Sequence, residues 1–427
     1  MTEESNKKKG TGEKGMKQIR LLKNTIQEYD WGSHTAIAEL LGEPSPSQKP
    51  QAELWMGAHP KAPSQVERDG RWSSLITLVE ENPTDILGKS VAEKFNNRLP
   101  YLFKVLAASK PLSIQAHPTL EQAKAGFQKE NEAGIPMDAS HRNYRDDMHK
   151  PEIICALTPF WGLNGFRRID EIVSNINRFC PDGMKSEISG LESRPDSRGL
   201  KIFFESMMTL SAERKTSAIK EAVASARIGP KEDDIRKWIL LLHQEYPSDI
   251  GVLSPLYLNL VSLSPGEAMF LPAGQLHAYL KGLGMELMAN SDNVLRGGLT
   301  PKHVDVSELL KTLRFKGEQV EILLPRERAG GEKTYASLAQ EFALSVLSIK
   351  EGGPFTSRGH RSAEILICTH GRAAIINRSS GEMLSVIKGE SVIIPAAVKQ
   401  YAVEGSATVY RAAVNLPKEV PESKKSA

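Results

Sequence analysis

The chain has 427 residues, with 55 Lys and Arg against 52 Asp and Glu, and a formal net charge of +3. That length exceeds one ordinary core and points to two or three domains. The near balance of charge excludes a global electrostatic case for nucleic acid or an anionic membrane, so an anionic ligand has to be met by a local cluster.

Residues 1–17 are polar and Gly/Lys-rich, without the apolar run of a secretory leader, and they are expected to form a disordered tail, as are 418–427. Cys155, Cys180 and Cys368 are far apart and set mostly among apolar neighbours, which suits buried thiols and predicts a cytoplasmic protein. No apolar run is long enough to span a bilayer.

From Ile19 to Phe166 short β-type runs (YDWG, AELWMG, LPYLFKVL, LSIQAH, PEIICAL) alternate with Gly, Pro and Asp/Asn turns, the pattern of an antiparallel sandwich. SIQAHP, Ser113 to Pro118, puts Gln115 and His117 on one face of a strand and Leu112, Ile114 and Ala116 on the other. The spacing of Leu120, Ala123, Ala125 and Phe127 predicts a helix over Thr119 to Glu132. In HKPEII, Glu152 opens an apolar run where an unpartnered carboxylate is costly to bury.

Between Arg168 and Pro247 apolar residues recur at every third or fourth place, and strand-like sequence resumes with PLYLNLVSL. The block reads as a helical insertion in the first β-unit, because ligand-type residues lie on both sides of it. Next comes GEAMFLPAGQLH, Gly266 to His277, in which Gly266 turns the chain into a short apolar strand and Pro272 and Gly274 turn it again to present His277. Gln115, His117, Glu152 and His277 together offer two imidazoles, one carboxylate and one amide oxygen, a set that suits Zn²⁺ and leaves it net positive.

The following stretch, Glu286 to His303, is polar and turn-rich. Arg296 lies on a Gly-flanked bend that aims its fork at a phosphate or a developing oxyanion, and Lys302 adds a cation nearby. Asp292, Lys150, His149 and Tyr279 are further titratable groups near the ligands, each either a proton carrier or support for a ligand. A second β-region follows a linker at Pro325 to Lys333 and reads as a small sandwich or jelly roll. Within it GESVIIPAAVKQ, Gly389 to Gln400, repeats the frame of Gly266 to His277, with Pro395 in place but Ala397 and Gln400 for the second glycine and the histidine. The chain reads as a duplication with one copy armed and the other disarmed.

YDWGS, AELWMGAHPKAPS, LPYLFKVLAASKPLSIQAHP, HKPEIICAL, PGEAMFLPAGQLHAYL and MANSDNVLRGGLTPKHVDV resemble, in order and spacing, the type I phosphomannose isomerases of the cupin superfamily. The resemblance implies a mainly β fold with an α insertion: a catalytic cupin over 18–167 and 250–325, a helical domain over 168–249, and a metal-free cupin over 334–417. It implies zinc, one per chain, on Gln115, His117, Glu152 and His277, with Arg296 in the active site. It also implies interconversion of mannose 6-phosphate and fructose 6-phosphate through an enediolate, either to supply mannose 6-phosphate for mannose 1-phosphate and GDP-mannose or to use mannose in glycolysis. Such a hydrogen shift needs a base, for which Lys150, Asp292, Tyr279 and a water on the metal are the candidates, and a phosphate clamp, drawn from Lys302 with Ser113 or Lys104. A monomer is expected, with a dimer as the alternative. The rival readings are another cupin metalloenzyme, such as an iron dioxygenase, and a non-catalytic sugar-phosphate binder.

Overall fold

In the computed structural model, residues 16–416 are described, apart from Asp69, Lys231, 329–330 and 351–352. The expected polar tails fall outside these residues except for Met16 and Lys17, and Met16 is buried in the core. The fold is mainly β, with two large antiparallel sheets and one block of helices.

The spine of the first sheet is the strand His277–Ala289, which pairs with Tyr101–Ala108, Ile114–Ala116, Glu152–Ala156 and Phe160–Phe166. One strand serves four neighbours because it bends at Gly282, whose φ is 131° and where a Cβ would lie 2.7 Å from the Phe160 ring. The first part pairs toward Gln115 and Asn164, and the second toward Lys104 and Ile154. Thr25–Gln27 and Glu53–Gly57 extend one side of this sheet, and Leu258–Leu263 extends the other. The expected helix also forms, over Leu120–Glu132, closed at its start by reciprocal bonds between Thr119 and Gln122.

Helices occupy Ile169–Phe179, Lys185–Ser193, Ser197–Met208, Ala212–Arg227 and Asp234–Glu245. Three of them start on side chains that accept backbone N–H groups, at Asp196, Ser211 and Asp233. Leu200, Phe203, Phe204 and Met207 recur at helical spacing and are buried with Ile172, Ile176 and Trp238. Each such side chain contributes roughly 2 kcal/mol of burial. The same core includes Ile114, Ala116, Leu276 and Leu295, so the helical block packs against the apolar side of the strands that carry Gln115 and Arg296.

The second sheet centres on Tyr401–Ala413 and Glu364–Asn377, flanked by Ala343–Ile349 and Ser391–Ile394. It also takes strands from the N-terminal region, which the sequence reading places in the first unit. Arg20–Lys23 pairs with Ser391–Ile394, and Gln65–Arg68 and Arg71–Ser74 continue outward from it. The reason is local packing: Leu21 faces Val392 in register, and Ile19 is buried with Leu366 and Val392. The expected linker at Pro325 to Lys333 is corrected as well, since Arg326–Glu327 pairs with Glu332–Thr334 at the edge of this sheet.

Candidate metal centre and active site

His277 begins the spine strand immediately after the Pro272–Gly274 turn. Gly274 has φ 77°, and a Cβ there would meet the Thr312 carbonyl oxygen at 2.9 Å, so glycine is what lets the chain turn at this point. Opposite His277 in the ladder stands Gln115, and opposite Gln115 on its other side stands Arg296. Residues directly paired across an antiparallel ladder share a face, so His277, Gln115 and Arg296 form one row across three strands. His117 follows Gln115 by two and belongs to the same face. Glu152 comes from the strand start predicted by HKPE, paired with Leu271 on one side and Met288 on the other.

His117 Nδ1 lies 2.6 Å from the carbonyl oxygen of Asn293, and His277 Nδ1 lies 3.0 Å from that of Gln275. A carbonyl only accepts, so both rings are assigned an N–H at Nδ1 and a lone pair at Nε2. The two Nε2 atoms each stand 3.3 Å from an oxygen of Glu152, His117 against Oε1 and His277 against Oε2. Among the described residues neither Nε2 has a hydrogen-bond partner, and all three side chains are essentially fully buried. Burial pushes the His117 pKa down to about 4, so its ring is neutral at physiological pH. Burial works against the charge on Glu152 too, but the Lys150 ammonium outweighs it and holds the carboxyl well below its ordinary range. Three buried lone-pair donors within 4.8 Å of one another fit a divalent metal cation.

Lys150 Nζ is 3.0 Å from Glu152 Oε1 and is itself buried. The Tyr279 hydroxyl lies 3.5 Å from Glu152 Oε2, and its pKa is driven well above the ordinary value by burial and then by Glu286 and Glu152. Tyr279 therefore keeps its proton and acts as a donor rather than a base. Asp292 is held at 2.9 Å by Lys61 and faces His59 Nε2 at 3.6 Å. Burial favours its neutral form, yet His59 and Lys61 hold the carboxyl far below the usual range, which leaves it a weak base.

Lys104 is already charge-matched in this arrangement. It is 5% exposed and ion-paired with Glu286 at 3.0 Å and Glu53 at 3.7 Å. Those carboxylates outweigh the burial that disfavours its charge and raise its pKa, so its cation is already matched. Arg296 and Lys302 are in the opposite situation: among the described residues neither has a carboxylate partner. Burial and then Arg145 lower the Arg296 pKa, and burial followed by Arg296, Arg145 and Lys61 lowers that of Lys302. Ser113 precedes the Ile114–Ala116 strand on the side from which Gln115 and His117 emerge, and it is half-buried.

Residues 19–169 match the phosphomannose isomerase type I catalytic domain, 176–258 its helical insertion domain, and 331–414 the mannose-6-phosphate isomerase cupin domain. Mannose-6-phosphate isomerase of Salmonella typhimurium is 44% identical over 382 residues, covering 88% of this chain and 95% of that protein. The Escherichia coli enzyme of the same name is 43% identical over 397 residues, covering 92% and 99%. The chain belongs to the type I phosphomannose isomerases. A crystal structure of zinc-bound mannose 6-phosphate isomerase superposes with a TM-score of 0.86 at 41% identity, over 93% of this chain and 100% of that one.

Sequence reasoning missed several residues of the isomerase site. Asn293 is fully buried; its carbonyl orients His117, while its side chain accepts from Arg145 N at 2.7 Å and donates to Met148 O at 2.9 Å. Asp146 accepts from Ser291 Oγ and from Asp292 N, both at 2.7 Å. Together they staple the loop before Lys150 to the loop before Arg296. The available signal was NYRDD, a polar run too close to HKPE to be an ordinary solvated turn. Arg145 shares that run and contributes the charge felt at Arg296 and Lys302.

Proposed function

We propose that this chain is a zinc-dependent aldose–ketose isomerase interconverting mannose 6-phosphate and fructose 6-phosphate. The observation that carries the reading is the pair of unpartnered imidazole nitrogens facing Glu152 beside cations that lack a counter-charge. His117, Glu152, His277 and the Gln115 amide oxygen would hold the zinc. When bound, zinc supplies a Lewis acid that polarises the sugar oxygens. The chain's residues do the rest.

A base takes the C2 proton of the open-chain aldose, and the electron pair passes to O1 as an enediolate. Return of a proton to C1, with the O2 proton passing to O1, completes the ketose. Of the candidate residues, Lys150 combines contact with the cluster and a nitrogen that exchanges protons, so the transfer is assigned to it: its ammonium first gives a proton to water, and the amine then takes the C2 proton and returns one to C1. Arg296 stabilises the enediolate charge from its place in the row with Gln115. Arg145, Lys302 and Ser113 receive the phosphate, whose dianion supplies the charge these cations lack.

The ketose product would bring mannose into glycolysis, and the reverse direction would supply mannose 6-phosphate for mannose 1-phosphate and GDP-mannose synthesis. A cytoplasmic location agrees with three buried free thiols, and among the described residues no helix is long and apolar enough to cross a membrane. A monomer is the assembly proposed. The test is a coupled assay of mannose 6-phosphate conversion on zinc-loaded and chelator-stripped protein. Conversion that disappears with the metal and returns with zinc is expected; a zinc-loaded protein without activity, or full activity after complete stripping, would overturn the reading.

A further inference from the structure

The second β-unit touches the run that leads into the active site through a buried side chain. His149, next to Lys150, donates from Nε2 to Glu341 Oε1 at 2.8 Å. Glu341 precedes the strand Ala343–Ile349 of the second sheet and is 6% exposed, so its carboxylate is buried at the junction rather than waving in solvent. A second contact lies a few residues away on each partner. The Tyr335 hydroxyl donates to Gly266 O at 2.8 Å and accepts from Cys155 Sγ at 3.1 Å. The metal strand Glu152–Ala156 is therefore gripped by the second unit near its far end, at Cys155, and just before its start, at His149. Glu152 lies between the two grips.

We infer that Glu341 is a positioning residue for this active site: it anchors His149 and thereby fixes the Lys150–Pro151–Glu152 run that sets both the ammonium and the carboxylate of the cluster. The geometry explains why a buried carboxylate is placed here. Lys150 must hold its Nζ at 3.0 Å from Glu152 while the chain between them spans a single proline. The side chains of Asn293 and Asp146 fix this loop only as far as Met148, through Asn293 to Met148 O and Met148 N to Asp146. Beyond that, the next backbone tie is at Pro151, whose carbonyl oxygen accepts from Ala289 N at 3.1 Å just before the ladder begins at Glu152, which leaves His149 and Lys150 between. His149 falls in the gap, and its bond to Glu341 closes it. Orientation by such outer contacts typically accounts for about ten- to a hundredfold in metal affinity or activity.

The inference rests on the isomerase reading for its kinetic arm and is independent of it for its structural arm. In the zinc-loaded full chain, Glu341→Ala is expected to lower kcat about tenfold while KM for mannose 6-phosphate stays within about twofold. Amide exchange in the 146–154 segment should accelerate by about tenfold or more, with the rest of the chain unchanged. Glu341→Gln, which keeps an acceptor for His149, should behave like the parent in both measurements. His149→Ala should reproduce Glu341→Ala, and the double variant should add less than about twofold. Exchange in 146–154 at the parental rate in either alanine variant would overturn the inference, as would faster exchange spread evenly over the chain. Should Glu341→Ala fail to fold, His149→Ala carries the same comparison. A parent protein that exchanges as described but converts no sugar phosphate would remove the isomerase reading and leave the anchoring in place.

Discussion

Glu152 and Glu364 open corresponding strands in the two sheets. Each pairs with the last residue of the short strand after the glycine turn, Glu152 with Leu271 in the first motif and Glu364 with Ile394 in its repeat. Both are buried, so both need positive charge. Around Glu152 the nearest ring atoms are two lone pairs at 3.3 Å, with Lys150 alone supplying a cation. Around Glu364 the need is met in full by the protein: Arg361 Nε at 3.2 Å, Arg411 Nη1 at 3.5 Å, and the Tyr401 hydroxyl at 2.5 Å. The same frame thus gives a metal site where compensation is withheld and a structural ion cluster where it is provided. Arg296 and Arg411 follow the same division: among the described residues Arg296 has no carboxylate partner, whereas Arg411 is paired with Glu364.

Removing a donor from the live cluster should have the largest effect. His277→Ala is expected to lose zinc, by metal analysis, and to lower turnover by on the order of a thousandfold, since a Lewis acid contributes several kcal/mol to the barrier. Retained zinc with retained turnover would sink the assignment. The matching change in the second cluster is Arg411→Met, which leaves Glu364 with one guanidinium fewer. It should cost about 3 kcal/mol in urea unfolding, with zinc content unchanged. Arg296→Ala sharpens the contrast from the other side. It should lower kcat about a hundredfold while keeping zinc and the unfolding midpoint, because Arg296 is paired with no carboxylate among the described residues. An equal loss of stability in Arg296→Ala and Arg411→Met would erase the distinction between these two arginines.

How much of this was legible in the sequence depends on how local each signal is. GEAMFLPAGQLH and SIQAHP carry their own turns and alternation, so His277 and the shared face of Gln115 and His117 follow from spacing, whereas the pairing of His277 with Gln115 does not. The helical block was equally plain, because its periodicity lies within each helix. Pairings across many residues were not. Lys104 faces Glu286 through a ladder joining positions 182 apart in the chain, and in the sequence it looked like a free cation. Arg20–Lys23 has the same alternation whichever sheet it joins, and only packing against Val392 decides. Glu341 and His149 lie in different units, and neither neighbourhood hints at the other.

A smaller effect separates the clusters by pH. Burial favours the neutral form of Glu364, but Arg361 and Arg411 outweigh it and hold the folded carboxyl below its ordinary 4.5. A carboxylate depressed in the folded state binds fewer protons there than when unfolded, so its stabilisation is complete above that ordinary value and fades as pH falls through the folded one. Urea midpoints measured between pH 6 and 3 should fall less steeply in Glu364→Gln than in the parent. Identical slopes would mean that the arginines do not compensate Glu364.

The least change is expected from rearming the repeat. Gln400 stands where the first motif has His277, and its side-chain amide donates to Ser357 O at 3.2 Å. Gln400→His restores the missing imidazole without freeing Glu364, whose oxygens remain committed to Arg361, Arg411 and Tyr401. A metal would have to displace two guanidinium groups from a buried carboxylate, and one added nitrogen does not offset that. Zinc should therefore stay at one per chain by metal analysis. A second equivalent would show that the histidine alone disarmed the repeat and that the arginine cluster is incidental.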